Sequence, residues 1–221
     1  RVDTTATIAA PKNTLPVADT GFAGDVACFC AGTRVRTGNG EVPVEALNIG
    51  DLVLTADGRS VPLQWIGLRR VATYFADPLR ALPIRIKSGA LAEGIPARDL
   101  LVSPDHAMFL DDVLVQAGAL VNGMSITRET GMPETFTYYH VEVADHALIF
   151  AEGAATETFV DNVDRMGFDN WAEHEALYGN ALSIPEMPYP RAKSARQVPQ
   201  SLRRKLASRA STLAVTNNIA A

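Results

Sequence analysis

Two thiols stand one residue apart in Cys28-Phe29-Cys30, and the chain has no other cysteine. A disulfide between such close neighbours would be strained, and two ligands alone make no zinc site. Both therefore read as free thiols. A free thiol has a pKa of about 8.5, so a nucleophilic cysteine must be activated by its surroundings. The groups able to do so are imidazoles, whose unperturbed pKa of about 6.5 keeps both protonation states accessible. His106 closes the string Ser103-Pro104-Asp105-His106. A hydroxyl three residues before an imidazole, across a proline-containing turn, can present both groups to one carbonyl. His140 shares a face of an alternating run with Phe136, Tyr138 and Glu142, a face that need not belong to the core, and His146 follows Asp145 at a turn signal. Each residue alone also has a plain structural reading. A cysteine can act as a small buried hydrophobe, and Ser103 and Asp105 can bond locally in a turn.

The elements that must position these groups are short. Arg34–Thr37 and Glu41–Val44 flank Gly38-Asn39-Gly40, a hairpin signal in which Asn39 and Gly40 both tolerate positive φ. Leu52–Leu54 turns at Asp57-Gly58 into Val61–Ile66, with Pro43 and Pro62 marking edges or bulges. Further strands are expected at Leu82–Ile86, Leu100–Ser103, Ala107–Leu110, Val113–Val115, Phe136–Val143 and Ala147–Phe150. Frequent turn signals and scarce helical periods predict an all-β domain. The chain has 221 residues, 47% of them hydrophobic and 20% charged, which is enough for one domain with a true core. This composition excludes wholesale disorder, a collagen and a disulfide scaffold. A net charge of −5 argues against nucleic acid as the main partner. No apolar run reaches the ~20 residues of a membrane-spanning helix.

Taken in order, these residues resemble the Hint domains shared by hedgehog autoprocessing domains and inteins, especially the bacterial intein-like group. Cys28-Phe29 with Gly32-Thr33, then Gly40–Leu47 and Gly50–Leu54, is similar to the family's opening. Ser103–His106 is similar to its Thr-x-x-His block, with serine for threonine. Tyr139–Val143, His146 and Phe150–Gly153 resemble its C-terminal strand pair. The resemblance covers about residues 24–160 and implies a compact β fold of many short strands. It also implies self-cleavage of the Ala27–Cys28 bond through an N-to-S acyl shift onto Cys28. His106 would then donate a proton to the leaving nitrogen of Cys28, and Ser103 would polarise or position the scissile amide. No metal or organic cofactor is implied. The substrate is the protein's own upstream segment, water or a small nucleophile is the acceptor, and the chain is expected to act as a monomer.

Three departures shape the expectation. Glu157-Thr158 stand where inteins end in His-Asn, so cleavage rather than full splicing is expected; Asn162, preceded by Asp161, is discounted. Gly67 falls near the aspartate that assists the hedgehog cysteine, and His140 is the candidate for that vacated role. Cys30 and His146 are accessory candidates, Cys30 as an alternative nucleophile or a second thiol that captures the thioester. Two rivals stand beside this reading: a catalytically silent Hint module of a larger exported bacterial protein, and a multiple-turnover cysteine hydrolase.

The flanks read differently. Residues 1–23 look like a linker or the end of an upstream segment, and the start at Arg1 without an apolar leader reads as a piece of something longer. Residues 161–221 form a mostly helical extension, with one helix expected at Trp171–Leu177. After Glu186 there is no acid, and seven of the 20 Lys and Arg lie between Arg191 and Arg209. Leu202 and Leu206 predict one short basic helix. It could dock on an acidic body or touch membrane or nucleic acid; a solvated tail is the plainest expectation.

Overall fold

A computed structural model describes residues 27–159, 165–179 and 184–219. The expected linker before residue 24 and Asn162 lie outside these residues. In chain order the strands are β1 (Phe29–Cys30), β2 (Arg34–Thr37), β3 (Gly40–Pro43), β4 (Leu52–Leu54), β5 (Ser60–Pro62), β6 (Trp65–Ala72), β7 (Ile84–Ile86) and β8 (Leu100–Val102). Then come β9 (Ala107–Leu110), β10 (Val113–Gln116), β11 (Ile126–Arg128), β12 (Thr135–Glu142), β13 (Leu148–Ala151), β14 (Ala154–Glu157) and β15 (Arg191–Ala192). The helices are α1 (Pro78–Ala81), α2 (Trp171–Tyr178) and α3 (Gln200–Ile219).

Among the described residues these strands form two sheets. The smaller, of six strands, runs β11-β7-β8-β1-β12-β6. The larger, of nine, runs β15-β10-β9-β14-β13-β2-β4-β5, with β3 on β2. The all-β expectation holds, with helices confined mainly to the C-terminal part. The main core lies between the sheets: Phe29, Ile84, Ile86 and Val102 meet Val35, Val53, Met108, Val115 and Ile149. Strand side chains alternate faces, so Cys28 and Cys30 point away from Phe29 into a second cluster with Trp65, Phe136, Tyr138, Phe159 and Phe168. His140 shares the face of Phe136, Tyr138 and Glu142, and all four are buried, so that face is a core face.

Local chemistry explains the main differences from expectation. The first hairpin turns on Gly38 and Asn39, and only Gly40 takes a positive φ, of 105°. The Val61–Ile66 run is broken at Leu63-Gln64, where Leu63 N–H donates to the Asp51 carbonyl and Gln64 N–H to that of Glu142. It therefore ends β5 and begins the eight-residue β6. Two tight hairpins align β9, β10, β13 and β14. Asp111 and Asp112 both have positive φ, as do Glu152 and Gly153, the requirement of a two-residue turn matching strand twist.

The C-terminal part is not a solvated tail. Segment 168–170 covers the open edge of β6: Asp169 N–H donates to Leu68 C=O at 2.7 Å, and Asn170 Oδ1 accepts from Leu68 N–H at 2.7 Å. Asn170 Nδ2 donates to Ile66 C=O at 2.8 Å. Edge strands are commonly blunted by such cover. Next, β15 adds in parallel to β10. Finally α3, spanning 20 residues rather than forming only a short helix, buries Leu202 and Leu206 in the main core. Lys205 Nζ pairs with Asp111 Oδ1 at 2.8 Å, and Arg209 Nη2 donates to Gly89 C=O at 2.9 Å. The helix docks on the body because leucines four apart make one apolar stripe. No described helix is long and apolar enough to cross a membrane.

Candidate active site

Strand β1 lies between β8 and β12, with Phe29 opposite Val102 on one side and Tyr139 on the other. That pairing sets the Ala27–Cys28 peptide between Ser103, just past β8, and His140, within β12. Cys28 N–H donates to Ser103 Oγ at 3.0 Å. Ser103 N–H in turn donates to Cys28 C=O at 2.9 Å. The carbonyl oxygen of Ala27 is hydrogen-bonded to His140 Nδ1. A carbonyl only accepts, so Nδ1 carries the hydrogen. Both polar atoms of one peptide bond are thus held by side chains in a buried setting.

His106 packs its ring on Phe29, with centroids 4.4 Å apart. Its Nε2 is bonded to Thr156 Oγ1, and among the described residues its buried Nδ1 meets no partner of normal hydrogen-bond geometry. His140 Nε2 is likewise buried and has no hydrogen-bond partner among the described residues. Burial pushes the His106 pKa down to about 4, partly offset by Glu157 and the Cys28 backbone. Burial pushes His140 down to about 3, against the Ala27 carbonyl, which favours its charged form. Both imidazoles are therefore neutral near pH ~7. Burial also raises the Cys28 thiol far above the ordinary range, with Arg69 opposing and Cys30 adding to the rise. At rest Cys28 is a thiol, so its deprotonation must be coupled to attack. Cys30, two residues along on the same face, is pushed up to about 12 by burial, with Arg85 opposing.

The structure brings Cys28, Ser103, His106 and His140 to one peptide bond. His146 stands further back: its Nδ1 accepts from Met187 N–H at 2.9 Å and its Nε2 meets Glu157 Oε2 at 3.3 Å. Gly67 faces His140 across the β6–β12 pair. Its missing side chain leaves room for Phe168: a Cβ built on Gly67 would lie 2.8 Å from Phe168 Cδ1 and 2.9 Å from two Trp65 ring atoms. Phe168 and Phe159 pack their rings on His140 at 5.1 and 4.8 Å. Gly67→Ala is accordingly expected to destabilise the fold by about 1–3 kcal/mol through overpacking, measured as a lower denaturant midpoint at unchanged slope.

Several participants escaped sequence reasoning: Thr156, Phe159, Phe168, Glu157 as a buried anion, and Arg191. Glu157 is held by Arg191 at 2.6 and 3.1 Å and accepts Ala107 N–H at 2.8 Å. Burial alone would raise its pKa, but His146 and Arg191 outweigh that and hold it at about 2. Glu142 is similarly enclosed, by His174 at 3.0 Å and Arg165 at 3.1 Å.

The shifts of both histidines and Glu157 act on stability in one direction. Each pKa is lower folded than unfolded, so the unfolded chain binds protons first as pH falls. The histidine contribution is complete above the ordinary imidazole value of 6.5 and is lost toward about 4 and 3. That of Glu157 is complete above 4.5 and is lost toward about 2. Unfolding free energy measured in urea is expected to fall by about 1.4 kcal/mol per histidine for each pH unit across this window.

Residues 27–163 match the family model described as the Hint domain. No curated protein matches the chain at a significant level. Among solved structures, the gp41-1 intein is 16% identical with a TM-score of 0.43, covering 59% of this chain and 97% of its own. The bacterial intein-like domain from Clostridium thermocellum is 16% identical with a TM-score of 0.44, covering 60% and 98%. A DnaB intein from Synechocystis sp. PCC 6803 is 10% identical with a TM-score of 0.45, covering 61% and 99%.

Proposed function

The chain belongs to the Hint domain family, a family of self-processing domains, and from that premise we propose that it breaks the Ala27–Cys28 peptide bond through a thioester on Cys28. One observation carries the reading: His140 Nδ1 is bonded to the Ala27 oxygen and Ser103 Oγ to the Cys28 N–H. In the first step the Cys28 thiol gives its proton to a neutral imidazole, and Sγ attacks the Ala27 carbonyl carbon. The C–S bond forms and the carbonyl oxygen becomes an oxyanion. His140 Nδ1–H donates to that oxyanion, and burial makes the bond stronger than it would be in water. Ser103 Oγ orients the nitrogen. His106, whose ring lies against the Cys28 backbone, takes the thiol proton on Nδ1 and returns it to the departing nitrogen. The C–N bond breaks, leaving a thioester at Ala27 and a free amine on Cys28. A water or small nucleophile then attacks the thioester, releases the upstream segment and restores the thiol.

Full splicing is not expected. Thr158 stands where a cyclising asparagine is needed, and its N–H and Oγ1 are both engaged with Ala147 at 2.9 Å. A hydrolase acting on other proteins is disfavoured, because the chain's own Ala27 carbonyl already occupies His140. The test is intact mass of the chain with a reporter fused ahead of Arg1, with and without dithiothreitol. A fragment beginning at Cys28, accelerated by thiol, lost in Cys28→Ala and kept in Cys30→Ala, is expected. A reporter that stays whole in every condition refutes the reading.

A further inference from the structure

We infer that Thr156 is a positioning residue that fixes the tautomer of His106, holding the hydrogen on Nε2 and the lone pair on Nδ1. Thr156 is fully buried on β14, which meets β9 where Thr156 stands opposite Met108. Its hydroxyl has one hydrogen, and it gives that hydrogen to the Ala107 carbonyl at 3.0 Å. Towards His106 Nε2, Oγ1 can therefore only accept. A neutral imidazole has a single N–H, so Nε2 carries it and Nδ1 is left as the basic atom.

The other tautomer would set two lone pairs against each other, unless Thr156 abandoned Ala107. Glu157, the next residue of β14, accepts the Ala107 N–H at 2.8 Å. Consecutive side chains of one strand thus hold both polar groups of the residue that follows His106. Around the ring stand the Phe29 face, the Cys28 backbone, neutral His140 and the Glu157–Arg191 pair. Of these the Cys28 backbone bonds the ring and favours its charged form, while Nδ1 meets no partner of normal hydrogen-bond geometry among the described residues; the Thr156 contact is therefore the one that discriminates between the tautomers. The arrangement parallels the carboxylate that orients a triad histidine, where losing the right tautomer costs about 10⁴-fold in rate.

The proposal rests on the reading of His106 as the proton carrier at Cys28, so its test has a readout that does not need cleavage. Long-range ¹H–¹⁵N spectra of the histidine-labelled full chain report which ring nitrogen bears hydrogen, and His106→Gln assigns the signal. The wild type should show the Nε2–H form. Thr156→Val should shift His106 towards the Nδ1–H form and slow cleavage by roughly 10²-fold, while Thr156→Ser should restore both. An Nδ1–H form in the wild type, or an Nε2–H form kept at full rate in Thr156→Val, overturns the proposal. If Thr156→Val does not fold, the wild-type spectrum and Thr156→Ser still decide it. A wild-type chain that shows the Nε2–H form but never cleaves defeats the thioester reading and leaves the tautomer assignment supported.

Discussion

Replacing His140 by alanine is expected to slow release of the upstream segment by roughly 10²–10³-fold, or about 2.7–4 kcal/mol of transition-state stabilisation. The reason is the location of charge. The Ala27 oxygen is nearly neutral in the ground state and carries a full negative charge in the tetrahedral intermediate. A donor already aimed at it gains strength as that charge forms. Water cannot easily substitute, because Phe159 and Phe168 cover the ring and the site is buried. His140→Asn, whose carboxamide donor sits close to the position of Nδ1, should recover part of the rate. Equal rates for all three chains, each shown folded by its unfolding transition, would remove His140 from the chemistry.

Arg191→Met is expected to destabilise the fold by about 3–5 kcal/mol, because it leaves a buried carboxylate without its main partner. Arg191 enters with β15, and its guanidinium makes two bonds to Glu157. Without it Glu157 keeps His146 and the Ala107 N–H, too little for an anion so enclosed. Adding Glu157→Gln should recover part of the loss by removing the charge. The deficit should also shrink below pH ~4.5, where the unpaired carboxylate takes up a proton. Urea unfolding of the wild type and both variants, at neutral and acidic pH, measures this. A loss near zero would mean that the C-terminal part is an appendage. The predicted loss makes it part of the body that holds the residue following His106.

What could be read from the sequence followed distance along the chain and chemical rarity. Cys28, Ser103, His106 and His140 were accessible because thiols and imidazoles are few and fall in an ordered set of blocks. Strand positions were accessible where turn residues bounded a short apolar run, as Gly50-Asp51 and Asp57-Gly58 do for Leu52–Leu54 and Asp111-Asp112 does after Ala107–Leu110. The strand Trp65–Ala72 was hidden because Gly67 and the adjacent Arg69-Arg70 interrupt its alternation. Thr156 carries no signal, since a threonine in a strand is ordinary; its role exists only once β14 lies beside β9. Arg191 was one cation among seven in a basic stretch, and its partner lies 34 residues earlier. Phe168 matters through the absent side chain of Gly67, a relation visible only in three dimensions. The length of α3 was underestimated because its last turns are rich in Ser, Thr and Asn, which are weak helix formers.

The central claim is a thioester linking Ala27 to Cys28, and trapping it with hydroxylamine tests that most directly. The full chain with an upstream reporter is incubated with hydroxylamine, and the released fragment is sequenced by mass. The account predicts an upstream fragment ending in an Ala27 hydroxamate and a downstream fragment beginning with the free amine of Cys28, neither formed by Cys28→Ala. A fragment boundary elsewhere, or the same products from Cys28→Ala, would contradict it.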